Sequence, residues 1–140
     1  MIAERTRCDT YRIEAADPYP HDYDETVARN VREQDQDARP AIADPVPDLA
    51  AYDTVILANP IWNVRPPMIM STFIEAAPPG TRRLLPVTTH AMSGLGRALE
   101  VYGDLAPQAE IGDGLAVRGE EVADAGPALD RWLRGAGLIG

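Results

Sequence analysis

Two short stretches of this 140-residue chain hold the residue types that grip a flat ligand with a polar edge. The first is Asn59-Pro60-Ile61-Trp62-Asn63-Val64-Arg65, which sets one indole among polar and proline residues. The second carries Thr88, Thr89, His90 and Ser93, followed by Gly94. An aromatic face beside backbone amides suits a planar heterocycle, which stacks on one side and takes hydrogen bonds at its edge. Amides at a helix start near Ser93 and Gly94 would serve a carbonyl or an anion. Each group also has a plainer role. Trp62 can cap a sheet edge, His90 can be a loop hydrogen-bonder, and Ser93-Gly94-Leu95-Gly96 can be a helix cap. No paired carboxylates, metal-ligand spacing or nucleophile elbow stands out, so no catalytic residue and no metal site is assigned.

The elements that must carry these loops follow from hydrophobic period. Thr54–Ala58 is a continuous β-branched and aliphatic run, the pattern of a strand buried on both faces of a parallel sheet. Pro66–Ala76 is expected to be helical, with prolines in its first turn and the pairs Ile69/Phe73 and Met70/Ile74 on its inner face. Arg82–Thr88 is the next strand and Thr89–Ser93 a loop. Gly94–Leu105 is a helix presenting Leu95, Leu99, Tyr102 and Leu105. Ile111–Val117 is a strand broken by Gly112 and Gly114. Ala125–Arg134 is a last helix that buries Leu129, Trp132 and Leu133, with Asp124 as N-cap and Gly135 or Gly137 as stop. Ahead of these, Asp9–Glu14 alternates as a half-buried strand, with Tyr11 and Ile13 inward. Asp22–Gln36 is a surface helix with a thin apolar stripe of Tyr23, Val27 and Val31. Asp37–Leu49 is an irregular, proline-containing connection. The alternation β-α-β-α-β-α-β-α predicts one domain over residues 1–140, with a parallel sheet covered on both sides.

Composition narrows the partners. The formal net charge is −9, which repels nucleic acid and anionic membranes at long range, so neither is expected as a partner. A basic protein partner or solubility alone accounts for it. All 13 basic residues are arginine, the codon signature of a GC-rich bacterial genome. The only cysteine, Cys8, excludes an intrachain disulfide and is expected to be at least half-buried. Met1–Asp9 is charged and unlike a signal peptide, and no apolar run approaches the roughly 20 residues that span a bilayer. A soluble cytoplasmic protein is expected.

At the two loops the sequence resembles a family. The run Tyr52-Asp53-Thr54-Val55-Ile56-Leu57-Ala58-Asn59-Pro60-Ile61-Trp62-Asn63 looks like the strand and first flavin-ring loop of short bacterial flavodoxins. Pro67–Glu75 is similar to the family's next helix. Thr88-Thr89-His90-Ala91-Met92-Ser93-Gly94-Leu95-Gly96 resembles the second flavin loop, usually glycine-rich where His90, Ala91 and Met92 stand here. Leu105-Ala106-Pro107, the terminal Trp132-Leu133 and Ile13–Tyr23 agree as well. The resemblance implies a three-layer α/β/α sandwich of the flavodoxin type. It further implies that Met1–Arg5 is the tail of the family's first helix, so that the first strand and its phosphate-binding loop are missing and the sheet is truncated at its N-terminal end.

From this resemblance follow expectations about function. The ancestral role is FMN-dependent electron transfer. Trp62 would stack on the isoalloxazine, while backbone groups of Asn59, Pro60, Ile61, Trp62 and Asn63 and of Thr88, Thr89, His90, Ser93 and Gly94 would bind its edge. Without the phosphate loop, several charge-assisted hydrogen bonds of about 1.5–3 kcal/mol each are lost. FMN binding is therefore expected to be weak or absent, with any remaining anion site at Ser93–Arg97. An oxidoreductase passing electrons from a nicotinamide to a quinone-like acceptor belongs to the same reading. A flavin-free interaction or structural protein on the same fold is the alternative from another class, and a misplaced start codon a third. A sheet lacking a central strand would either pair Asp9–Glu14 directly with Thr54–Ala58 or form a homodimer that exchanges the N-terminal strand and helix about the Asp37–Leu49 hinge. The dimer is the favoured outcome.

Overall fold

The computed structural model describes all of residues 1–140. It contains four helices, α1 (Tyr23–Asp35), α2 (Met68–Ala76), α3 (Ala98–Leu105) and α4 (Gly126–Gly135). The strands are β1 (Thr54–Pro60), β2 (Arg83–His90), β3 (Glu110–Ile111) and β4 (Leu115–Arg118). Three 3-10 turns, Ile2–Glu4, Leu49–Ala51 and Gly119–Asp124, complete the regular structure. Every strand pairing is parallel: β2 is central, β1 lies on one side, and β3 and β4 share the other as two pieces of one interrupted strand. The interruption falls at Gly112-Asp113-Gly114, as the glycines predict. The α/β sandwich expected from the sequence is the observed architecture.

Register decides which side chains share a layer. Val55 faces Leu84, Leu57 faces Pro86 and Asn59 faces Thr88. Because side chains alternate along a strand, these residues lie on one face of the sheet. The main core forms there: Leu57 and Leu84 pack with Met70, Phe73 and Ile74 of α2 and Ala98 and Tyr102 of α3. Burying side chains of this size yields about 1.5–3 kcal/mol each. On the opposite face, Leu85 and Leu115 line a cavity of about 640 Å³ together with Ala128 and Trp132 of α4. Arg5 anchors the N-terminal turn to α4 through Asp130, at 2.7 Å.

Several sequence expectations are corrected. Asp9–Glu14 is not a strand. Tyr11 stacks on Phe73 with ring centroids 5.9 Å apart, and Ile13 packs against the same core, so the apolar alternation is used. The backbone, however, joins no ladder with β1; one bridge, Ala15 to Ile42, is all it forms. Tertiary burial of two side chains holds the segment without a sheet neighbour. β1 is not buried on both faces either: Leu57 and Asn59 are buried, Ile56 is half-buried and Ala58 exposed. The two faces differ: the one bearing Leu57 packs on α2 and α3, the one bearing Ile56 and Ala58 does not. The stripe on α1 stays in solvent, with Tyr23 79%, Val27 43% and Val31 41% exposed, while the helix packs through buried Asn30. α3 starts at Ala98 rather than Gly94, because Gly94 and Gly96 have φ of +61° and +51°, outside the helical region. Leu99 on α3 is exposed and Val101 is buried instead. α4 has Ala125 at its N-cap position with no side-chain cap, so Asp124 does not serve there. Trp132 is half-buried, its indole N–H donating to the Asp113 carbonyl at 2.8 Å. Cys8 is exposed. Thr89 and His90 belong to β2 rather than to the loop after it. No helix is long and apolar enough to cross a membrane.

Candidate functional site

Both sequence-predicted loops emerge at the carboxyl ends of adjacent parallel strands, β1 and β2, where open α/β sheets place their ligands. The first is a tight hairpin. Trp62 and Arg65 exchange backbone hydrogen bonds of 2.8 and 3.2 Å across Asn63 and Val64. Those two residues have φ of +50° and +59°, the conformation of a type I′ turn. Asn tolerates this region; a β-branched valine does so only under strain. Strain of this kind persists where surrounding contacts hold it. Here they are visible: the Val64 carbonyl accepts the Arg97 N–H at 2.7 Å, and the Ile61 N–H donates to the Thr89 carbonyl at 3.0 Å. Gly96 permits the first of these, since a Cβ there would lie 2.4 Å from the Val64 carbonyl oxygen. The two loops are thus clamped to one another.

The indole is held from behind by α1. Gln34 donates to the Trp62 carbonyl at 2.9 Å and accepts from the Asn63 side chain at 2.8 Å. Tyr19 meets the half-buried Trp62 ring edge-on, with centroids 5.2 Å apart and planes at 72°. The Arg29 guanidinium covers Tyr19 at 3.9 Å, and the Tyr19 hydroxyl donates to Glu33 at 2.5 Å. Burial, reinforced by that carboxylate, holds the Tyr19 hydroxyl protonated well above its ordinary range. This arrangement fixes the aromatic plane before any ligand arrives.

The other predicted residues divide into two groups. Asn59 and Thr88 are buried and committed to structure. The Tyr102 hydroxyl donates to the Asn59 side-chain oxygen at 2.6 Å, the Asn59 amide donates to the Pro60 carbonyl at 2.8 Å, and the Thr88 hydroxyl donates to the Gly94 carbonyl at 3.1 Å. Pro60 and Ile61 are half-buried in the loop stem. Asn63, Thr89 and Ser93 are exposed. His90 is half-buried, and its Nδ1 has no partner. Met92 projects into solvent at 91% exposure.

What remains free is backbone. The N–H groups of Asn63 and Val64, and those of Ala91, Met92, Ser93, Gly94 and Leu95, have no acceptor in the protein. Such donors beside an aromatic plane suit the carbonyl-rich edge of a flavin ring. A phosphate site is less well built. The arginine of Ser93–Arg97 is bound to Glu100 at 2.6 and 3.0 Å, which holds that carboxyl below its usual range and occupies the cation.

The sequence alone did not show how Tyr19, Gln34, Val64, Gly96 and Tyr102 brace the site. Asn63 at a strand end hinted at the I′ turn. Nothing in the sequence linked α1 to Trp62.

The profile of the flavodoxin family matches residues 1–134. A candidate flavoprotein from Bacteroides uniformis superposes with a TM-score of 0.82 at 26% identity, covering 95% of this chain and 85% of that one. A second, from Bacteroides eggerthii, gives 0.75 at 28% identity over 90% and 79% of the two chains. A flavoprotein from Lactobacillus acidophilus, in complex with FMN, gives 0.64 at 15% identity over 80% and 75%, a likeness of fold alone. No curated protein matches the chain. With nearly its whole length matched, and with two clamped loops at the carboxyl ends of parallel strands, this chain belongs to the flavodoxin family.

Proposed function

We propose that this chain binds a flavin through its isoalloxazine ring, with Trp62 stacked on the ring and the free amides of the two loops at its edge. The observation that carries this reading is the preset indole beside Asn63, Val64 and Ala91–Leu95 N–H groups that nothing in the protein uses. A bound flavin supplies one- and two-electron redox chemistry, which fits an electron-transfer role. The protein's own part is to orient the ring and to set the polarity around it. FMN is the expected cofactor, held weakly, because Arg97, the cation of the Ser93–Arg97 segment, is already engaged by Glu100.

Titration of the protein with FMN and with riboflavin, followed by flavin fluorescence quenching, tests the proposal. Binding of both with similar affinity is expected. Binding of neither rejects the flavin role and favours a flavin-free interaction protein, for which exposed Met92 at the loop tip offers an apolar contact. A preference for FMN of about a thousandfold, worth about 4 kcal/mol, would reveal a phosphate site and overturn weak retention of FMN.

A further inference from the structure

The contact behind the indole is more than a packing contact. Trp62 and Tyr19 meet edge to face with ring centroids 5.2 Å apart, within the contact range of aromatic pairs. Nothing stands between the rings, so an electron crosses directly from one to the other. The Tyr19 hydroxyl donates to Glu33 Oε1 at 2.5 Å. That carboxylate is itself fixed, because Arg29 Nε holds Glu33 Oε2 at 3.1 Å and both side chains are largely buried. Arg29 is tied down in turn by the Asp17 and Pro18 carbonyls, and its guanidinium lies 3.9 Å over the Tyr19 ring. Indole, phenol, carboxylate and guanidinium thus stand in one contiguous line.

Bracing Trp62 calls for the Tyr19 ring but not for a carboxylate on its hydroxyl. Loss of an electron from a phenol calls for that carboxylate. An oxidised phenol is a strong acid, so tyrosine yields its electron readily only where a base takes the proton in the same event. Arg29 sharpens the requirement, since a cation over the ring opposes any positive charge left there. The combination occurs once among the five tyrosines. Tyr52 also bonds to a carboxylate, Asp9, but meets no tryptophan, and Tyr11 stacks on Phe73. Trp132 has no aromatic neighbour.

We propose that Tyr19 is a redox-active residue that restores Trp62 after one-electron oxidation, giving its electron to the indole and its proton to Glu33. The oxidant removes one electron from Trp62. One electron then passes from Tyr19 to the indole, while the phenolic proton moves to Glu33 Oε1. Where the indole nitrogen has already lost its proton to water, water returns it in the same step. The products are neutral Trp62, a neutral tyrosyl radical and a neutral Glu33 acid. A one-electron reductant, with return of the Glu33 proton, resets the pair. Small diffusing radicals are one class of oxidant. The other is a light-excited isoalloxazine on the indole, and that occasion alone rests on the flavin reading above. The relay would keep the stacking face intact and move the oxidising equivalent to the far side of the indole.

Pulse radiolysis of the flavin-free chain with azide radicals, which oxidise tryptophan, tests the transfer by itself. The expected record is decay of the indolyl absorption with matching growth of tyrosyl absorption, at a rate independent of protein concentration and slower in heavy water. Tyr19→Phe should lose this phase and lengthen the life of the indolyl radical. Glu33→Gln should slow it by about a hundredfold, the low end of what a positioned proton acceptor contributes. Trp132→Phe should keep it. Absence of the phase in the wild type, full amplitude in Tyr19→Phe, or an unchanged rate in both Glu33→Gln and heavy water would overturn the proposal. If Tyr19→Phe fails to fold, Trp62→Phe serves instead: the phase should vanish there, and its persistence would overturn the relay. Failure to bind FMN or riboflavin would remove the light-driven occasion and leave the radiolysis result standing, so the two readings fail separately.

Discussion

At the scale of single residues, Trp62 and Val64 hold opposite positions in the same turn. Trp62 gains from its surroundings: Tyr19, Gln34 and the Arg65 backbone all restrict it. A preset aromatic plane loses little entropy on binding. Replacing Trp62 by Ala should therefore lower flavin affinity by about fivefold or more, the equivalent of about 1 kcal/mol of stacking beyond area burial. Unchanged affinity in a titration would remove the indole from the site. Val64 instead bears strain, since φ of +59° crowds its branched side chain. Its side chain is 48% exposed, so little packing is lost on shortening it. Relief of about 1–2 kcal/mol, set against about 0.5–1 kcal/mol of glycine entropy, makes Val64→Gly a stabilising change of roughly 0.5–1 kcal/mol. A higher urea midpoint at constant m-value is the expected reading. A lower midpoint would show that the valine side chain holds the loop in a way the turn geometry does not reveal.

At the scale of elements, the carriers of the two loops were legible in the sequence, and their neighbours were not. β1, α2 and the broken β3–β4 strand follow from local pattern, because each is largely apolar and is closed by a nearby proline or glycine, and the apolar stretch Leu84–Val87 marks β2. Asp9–Glu14 has the alternation of a strand without a strand's backbone, since a ladder also needs a neighbour within reach and sequence period carries no information on that. The start of α3 was misplaced because Gly94 and Gly96 were read as part of a helix start, whereas their left-handed φ serves the contact with Val64. The stripe on α1 misled for another reason: Gln34 and Asn30, polar residues, are the ones that face the protein. One contact joins two of the legible elements. The Tyr102 hydroxyl of α3 donates to the Asn59 side chain of β1 inside the core. Tyr102→Phe leaves that buried oxygen without its donor and should cost about 1–3 kcal/mol. Chemical denaturation checks the value. A neutral result would mean that the Asn59 amide turns over to find another partner.

For the whole molecule, the tyrosines make stability depend on alkaline pH. Tyr102 is fully buried with no charged partner, and burial holds its hydroxyl protonated far above the ordinary value near 10. Tyr19 is shifted the same way, by burial first and then by its bond to Glu33. In the unfolded chain both ionise near pH 10. Their folded-state values are raised, so the native state keeps protons that the unfolded state releases. The native state's advantage is thus complete below pH 10 and declines as pH rises beyond it. A fully buried group contributes a slope of about 1.4 kcal/mol per pH unit, and Tyr19, partly in water, contributes less. Melting temperatures should consequently be flat through mildly alkaline buffers and fall steeply above about pH 10. Tyr19→Phe should be less stable than the wild type at neutral pH, having lost the bond to Glu33, and its decline above pH 10 should be shallower. The two melting curves would then converge as pH rises. Parallel declines would show that Tyr19 ionises in the folded protein as readily as in the unfolded one, and that the brace behind Trp62 is looser than its hydrogen bonds imply.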